Sequence, residues 1–270
     1  MIYRCVCLFI ALFALYVFLV CPAIPSRNVS FLCGKPIAHR GVFDNENVSE
    51  NSLSAFFVAM EQELPIELDV RLTADGVPVV IHDDTLKRLC GVDARVSDLN
   101  ADSLTEFPLA AGGESVPTLE SVLDFVKGKV PLLIELKGEG GLPVAEKVAE
   151  VLKDYSGEYA VQSFNPYYLF RYRRISPDTP LGFLSNRRYG KGIYSKLFAF
   201  FSANLLFNFT FRPDFVSYRF SDRLPLSFKL CRRLGAKTLA WTVKDEGEYS
   251  SLKSFDGVIA ENISERKRTP

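Results

Sequence analysis

Residues 66–83 read IELDVRLTADGVPVVIHD. Two short apolar runs, Ile66–Val70 and Val77–Ile81, flank Thr73-Ala74-Asp75-Gly76. Parallel neighbours need a crossover of about a dozen residues or more, and the connection here is too short for one. Asp-Gly is a strong hairpin signal. The two runs are therefore read as an antiparallel pair with a four-residue turn at 73–76, which sets Glu67 opposite His82 and Asp69 opposite Val80.

Working outward, seven further runs read as strands: Pro36–His39, Pro131–Leu136, Tyr159–Gln162, Leu181–Leu184, Asp214–Ser217, Thr238–Thr242 and Gly257–Ala260. Helical patterns separate most of them, the mark of an α/β domain with a parallel sheet. Asn51–Glu63 carries Leu53, Phe56, Phe57 and Met60 on one face, with Asn51 as its cap. Leu119–Val126 and Leu142–Tyr155 also show helical spacing. Nine strands are one too many for an eight-stranded barrel. With 77–81 set aside as the outer arm of the hairpin, the other eight close as a TIM-type (β/α)8 barrel.

Cys5–Cys21 is free of charge and apolar all round, followed by Pro22-Ala23-Ile24-Pro25. It fits a membrane span at its short end, or the core of a signal peptide. No small-x-small cleavage site follows, which favours a retained anchor. The division expected is 1–24 anchor or signal, 25–35 linker and 36–265 catalytic domain, membrane-anchored and on the extracytoplasmic side. Basic and acidic residues balance at 32 each, so no global charge argues for nucleic acid. Cys33, Cys90 and Cys231 show no metal-ligand spacing or disulfide framework. The Asn-x-Ser/Thr sequons at Asn28, Asn47, Asn208 and Asn262 read as chance matches.

The chain has two histidines, His39 and His82, and each lies at the end of an expected strand. Histidine titrates near neutrality and is the usual proton carrier in hydrolysis. Glu67 and Asp69 are two apart on one strand and so project to one side. Glu135 adds a third carboxylate near the C-terminal end of another strand, where barrel enzymes place their sites. Inward acids among apolar neighbours are costly without a cation. Three oxygen ligands without cysteine favour Mg²⁺ or Ca²⁺ over zinc. Arg40 and Lys137 bring positive charge to the same mouth. One divalent cation with Arg, Lys and two imidazoles suits a phosphodiester better than an amide or a sugar.

These residues resemble the glycerophosphodiester phosphodiesterase family. The resemblance is carried by His39-Arg40-Gly41, Glu50-Asn51-Ser52, Glu67-Leu68-Asp69-Val70, the run Thr73–Asp83, Ile134-Glu135-Leu136-Lys137, Gln162-Ser163-Phe164, Trp241-Thr242-Val243 and Asp256-Gly257-Val258-Ile259. It implies a barrel with a small insertion after the third strand, here about 84–116. It further implies His39 and His82 as the acid–base pair, with His82 taken as the acid. Glu67, Asp69 and Glu135 become metal ligands, Arg40 and Lys137 lie near the phosphate, and Glu50 has a supporting role. Trp241 is read as a wall of the alcohol pocket or as a core residue. Where the family often has Asn after Trp-Thr-Val and Thr-Asp after the last strand, this chain has Lys244 and Ala260-Glu261. Both departures are expected at the rim and to bear on the fit of the alcohol.

The expected activity is metal-dependent hydrolysis of glycerophosphodiesters to glycerol phosphate and an alcohol. Lysophospholipase D-type cleavage of membrane phosphodiesters is the alternative within this chemistry. A glycosidase pairing Glu67 with Glu135, and a catalytically silent phosphodiester-binding module, are the alternatives outside it. Leu197–Phe211, LFAFFSANLLFNFTF, reads as an outer barrel helix packed on the core, or as a surface dipping into lipid beside the anchor.

Overall fold

A computed structural model describes residues 2–138, 143–188, 190–245, 247–248 and 252–261. The first residue of the helix expected from Leu142, the Asn262 sequon and the expected domain end at 265 lie outside them. Nine strands form among the described residues: β1 Ile37–His39, β2 Ile66–Leu72, β3 Pro78–Val80, β4 Leu132–Leu136, β5 Tyr159–Ser163, β6 Leu181–Ser185, β7 Phe215–Arg219, β8 Lys237–Val243 and β9 Gly257–Ala260. Their order is β1-β9-β8-β7-β6-β5-β4-β2-β3, and a β1–β2 pairing closes the ring. Eight strands are parallel, and β3 alone runs antiparallel, against β2.

The hairpin forms, with a register one residue away from the expected one. Val70 faces Val80, Arg71 faces Val79, and the Ile81 N–H donates to the Asp69 carbonyl. The reason is the turn. The Gly76 N–H donates to the Thr73 carbonyl at 3.0 Å, and Gly76 takes φ +79. Thr73 pairs with Val77, its N–H donating to the Val77 carbonyl and its Oγ1 accepting from the Val77 N–H. The loop is thus three residues closed by a left-handed glycine rather than four, which moves the whole arm by one. β2 pairs with β1 through residues 66–67 and with β3 through residues 70–72. The hairpin arm therefore takes over the edge that short β1 leaves free.

Nine α-helices are described: α1 Ile2–Val20, α2 Leu53–Glu61, α3 Lys87–Cys90, α4 Leu119–Val126, α5 Val144–Val151, α6 Pro166–Ile175, α7 Ile193–Ala203, α8 Asn208–Phe211 and α9 Leu226–Arg233. Ser52, rather than Asn51, caps α2, its side chain accepting from the Ala55 N–H. Alternation divides the strand residues into two cores. Ile66, Leu68, Val70, Ile134 and Val161 face outward to α2, α4, α5 and α6. Ile37, Leu133, Ala160, Phe215, Leu239 and Ile259 fill the lumen. Residues 84–116 wrap α3 and two 3-10 turns around a small core of Leu86, Leu89, Val96, Leu104 and Leu109, packed on Val79 and Ile81.

The stretch 25–35, expected as a linker, is part of the barrel floor. Val29 and Leu32 are buried in the lumen cluster, and Arg27 binds Asp214 through its N–H and its guanidinium. Asp214 is fully buried and also accepts from Arg173 Nη2 at 2.7 Å and the Leu181 N–H at 2.9 Å. Removing one partner of a buried ion pair strands the other. Asp214→Ala is expected to lower unfolding free energy by about 3–5 kcal/mol in denaturant melts. A cost under about 1 kcal/mol, the scale of an exposed pair, contradicts this role for the floor.

α1 is a 19-residue helix, long and apolar enough to cross a membrane by length and composition, with its membrane-length window wholly unburied. Only its last residue, Val20, is buried. All six cysteines are free. Asn208 is buried and donates to the Val20 carbonyl, so that sequon cannot carry a glycan in this fold.

Candidate active site

The C-terminal ends of the strands bring the sequence-predicted residues together. β1 ends on His39, in register with Glu67 of β2. β2 turns Glu67 and Asp69 into the lumen, and β4 sets Glu135 beside Asp69. One oxygen from each of these three buried carboxylates lies within 4.8 Å of the others. Because Ile81 bonds to Asp69, the next residue, His82, arrives at the same mouth. His39, Arg40, Glu67, His82, Glu135, Lys137 and Trp241 all line one cleft of about 90 Å³. Asp69 lies beneath it, ion-paired with Arg40 and Lys137, and Glu50 stands behind Arg40.

The local backbone is bent to serve this cluster. Arg40 has φ +59 and Gly41 φ +83. A Cβ on Gly41 would meet the Ala55 backbone at 2.8 Å. That turn aims the Arg40 N–H at Glu67 Oε2, 3.2 Å away. Asn51, displaced from the capping role, has φ +57 and donates to Asp69 Oδ2 at 3.0 Å. Left-handed non-glycine residues are costly and concentrate at functional sites.

Charge is unevenly compensated here. Lys137 Nζ lies 2.5 Å from Glu135 and 3.2 Å from Asp69. Arg40 contacts both Asp69 and Glu50, and Arg88 grips Glu50 with two bonds. Burial raises the Glu67 pKa well above the usual carboxylate range, and repulsion from Asp69 and Glu135 adds to it. Burial raises Glu135 as well. For Asp69 burial pulls the same way, but Lys137 and Arg40 prevail and hold it below its ordinary value. Six carboxylates around the mouth (Glu50, Glu67, Asp69, Asp83, Glu135, Glu261) face four permanent cations, Arg40, Arg88, Lys137 and Lys244. Asp69 Oδ1 is buried and accepts no hydrogen bond among the described residues, although Lys137 lies near it. This oxygen-only, under-compensated cluster fits a hard cation.

Each histidine leans on a carboxylate that sequence reasoning did not assign. His82 Nδ1 lies 2.6 Å from Asp83, which Arg88 holds in turn at 2.6 Å. Burial works against ionisation of Asp83, yet its bonds to Arg88 and His82 bring its pKa to about 2. His39 Nδ1 lies 2.8 Å from Glu261, and Lys244 Nζ lies 2.7 Å from the other oxygen of Glu261. Burial again opposes, and His39 and Lys244 again prevail, leaving Glu261 at about 2. The two departures from the family pattern are therefore one ion pair behind His39, not separate features of the alcohol rim. The signal that points to Glu261 is its place directly after the last strand, at the mouth. Nothing in the sequence links Arg88 to Glu50, since they stand 38 residues apart with a helix and two strands between them.

Trp241 is partly buried, donates its indole N–H to the Ser217 carbonyl at 3.1 Å, and meets Phe164 edge-on at 5.3 Å. Both rings line the cleft. The outer surface has a larger recess, but none of the mouth residues line it.

A family model described as the glycerophosphoryl diester phosphodiesterase family matches residues 39–264. A glycerophosphodiester phosphodiesterase of Caldanaerobacter subterraneus subsp. tengcongensis is 30% identical over 241 residues, 84% of this chain and 93% of its own. The crystal structure of a glycerophosphodiester phosphodiesterase from Thermotoga maritima is 27% identical with a TM-score of 0.64, covering 84% of this chain and 94% of that one. A phosphodiesterase of Oleispira antarctica, solved in complex with the product sn-glycerol-3-phosphate, shares the fold at a TM-score of 0.69 and 23% identity, over 84% and 93% of the two chains. With the closed barrel and the mouth cluster already in place, these matches settle the family: the chain belongs to the glycerophosphoryl diester phosphodiesterases and is a phosphoric diester hydrolase.

Proposed function

We propose that the chain hydrolyses glycerophosphodiesters to glycerol phosphate and an alcohol, using one divalent cation, Mg²⁺ or Ca²⁺, held by Glu67, Asp69 and Glu135. The observation that carries this reading is the convergence of three buried carboxylates within 4.8 Å, in a mouth where carboxylates outnumber the permanent cations. When bound, such a cation withdraws charge from the phosphoryl oxygens and acidifies the attacking hydroxyl or water. The product named for the Oleispira antarctica enzyme supports glycerol phosphate as the half retained here.

The chain's own residues do the rest. Arg40, fixed by Glu50, and Lys137 supply positive charge for the phosphate oxygens. His82 takes the proton of the attacking group: water gives glycerol phosphate directly, whereas the adjacent glycerol hydroxyl gives a cyclic phosphate that a second attack, by water, opens to glycerol phosphate. His39 gives its proton to the oxygen of the departing alcohol. This division reverses the expectation from sequence. Burial lowers the His82 pKa; Asp69 opposes it, Lys137 and Arg40 reinforce it, and the balance favours a neutral ring suited to accept a proton. Asp83 and Glu261 each hold an Nδ1, which leaves both Nε2 atoms for the cleft. Phe164 and Trp241 flank the path of the alcohol, which extends outward because the cleft is small.

Glu261 is then a positioning residue for His39. Glu261→Gln is expected to lower kcat on glycerophosphocholine by about 10–100-fold with KM little changed, and Glu261→Asp to recover part of the loss. An unchanged kcat in Glu261→Gln contradicts that role. The reaction itself is tested by identifying products from glycerophosphocholine with the full chain. Glycerol phosphate and choline are expected; release of phosphocholine, or of nothing, overturns the assignment.

α1 is proposed to remain as a membrane anchor. The Val20 carbonyl accepts from Asn208 and Cys231, Arg212 donates to the carbonyls of Phe18 and Cys21, and Ala23 bonds to Pro213. Cleavage near this point discards contacts that the barrel makes.

A further inference from the structure

The helix α7 does not follow the rule that a barrel helix buries one stripe against the strands. Its sequence is IYSKLFAFFSA, and only Ala203 is buried. Tyr194, Leu197 and Phe200 are 87, 54 and 49% exposed. Of the two readings of Leu197–Phe211, packing on the core holds for Leu205 and Phe211 and fails for α7 itself. Contiguous exposure of this kind marks an interaction surface, whereas Phe57, Ile175 and Leu226 are single exposed residues on three different helices.

Two observations identify what covers it. The first is continuity with α1. The rings of Phe198 and Phe201 lie 5.3 and 5.6 Å from Phe207, and Phe209 lies 6.1 Å from Phe18 of α1. The apolar face of α7 thus joins the unburied apolar helix through α8 and the residues before it. The second is charge. No acidic residue occurs from Thr179 to Pro213, while Arg187, Arg188, Lys191, Lys196 and Arg212 do. The first four are exposed, and Arg212 sits over the Phe18 ring at 4.7 Å. At 11 residues α7 is too short to cross a bilayer, and an apolar face edged with Lys and Arg suits an anionic headgroup layer.

We propose that α7, α8 and the adjoining side of α1 form an interfacial surface that rests the barrel on an anionic lipid bilayer, with one edge of the mouth at headgroup level. α7 follows the mouth end of β6, so its first turn is the part nearest the site. The substrate class that this favours is a phosphodiester carrying an acyl chain and resident in the membrane, a lysophospholipid. That half rests on the hydrolysis proposed above; the lipid contact does not.

The test uses the full chain in phosphatidylcholine–phosphatidylserine vesicles, with and without bromine on the acyl chains. Bromine quenches indoles that reach the acyl region, and Trp241 provides a common background. F200W is expected to lose at least about half of its added emission. F57W, on α2 and half a turn of the barrel away, is expected to behave as the unsubstituted chain. Quenching in F200W no greater than in F57W overturns the lipid contact, and L197W repeats the measurement should F200W misfold. Leu197→Glu with Phe200→Glu is then expected to cut turnover of vesicle lysophosphatidylcholine about tenfold, leaving soluble glycerophosphocholine unchanged. Equal turnover of the lysolipid overturns the substrate half. Absence of turnover on both substrates by the unsubstituted chain refutes the hydrolysis reading instead, while the quenching result still decides the contact.

Discussion

Glu67→Gln and Asp69→Asn are each expected to lower kcat/KM for glycerophosphocholine by about 10³-fold, equivalent to about 4 kcal/mol of lost transition-state stabilisation. The same Glu67→Gln change is expected to make the metal-free protein more stable. Burial and repulsion from Asp69 and Glu135 raise the folded-state pKa of Glu67 above its unfolded value. The folded state then holds a proton that the unfolded chain releases, so stability falls as pH rises from the ordinary carboxylate value through the raised one. Glu67→Gln removes that slope. In EDTA its melting temperature is expected to exceed that of the unsubstituted protein at about pH 8, by about 2–4 °C for each kcal/mol relieved, and to match it near about pH 4. Retained activity, or a lower melting temperature at the higher pH, contradicts the carboxylate cluster as a cation site.

The second large effect belongs to the histidines. His39→Ala and His82→Ala are each expected to cost on the order of 10²-fold or more on glycerophosphodiesters. An activated ester such as a p-nitrophenyl phosphodiester hardly needs its leaving group protonated. His39→Ala is therefore expected to matter much less on that substrate, whereas His82→Ala costs about the same on both. The unsubstituted enzyme is expected to give a bell-shaped pH–rate profile, because the base must be neutral while the acid holds its proton. Equal losses in both variants on both substrates refute the division of labour and leave the carboxylate cluster standing.

Much of the barrel is legible in the chain because strand periodicity and burial agree there. All nine apolar runs become strands near their expected bounds, and Asp75-Gly76 correctly marks the hairpin that resolves the count of nine. The register fails by one because it depends on a single dihedral, the left-handed Gly76 that shortens the loop. The candidate site residues are legible for a different reason. Acids two apart on a strand, or histidines at strand ends, have no packing reason to be there, and the fold brings them into one cleft. What the sequence hides are partners supplied by remote or irregular chain. Arg88 reaches Glu50 from the insertion, and Glu261 reaches His39 from the end of β9, which pairs with β1. The floor built by Val29 and Leu32 is hidden as well, because a Pro-flanked stretch looks like a linker until the lumen it fills is known.

The mouth is expected to hydrolyse a glycerophosphodiester only with a divalent cation on Glu67, Asp69 and Glu135. The most direct test is glycerol phosphate release from glycerophosphocholine by the full chain, before and after EDTA, with Mg²⁺ or Ca²⁺ then added back. Release is expected to stop in EDTA and to return with one of the two ions. Release that continues undiminished in EDTA contradicts it.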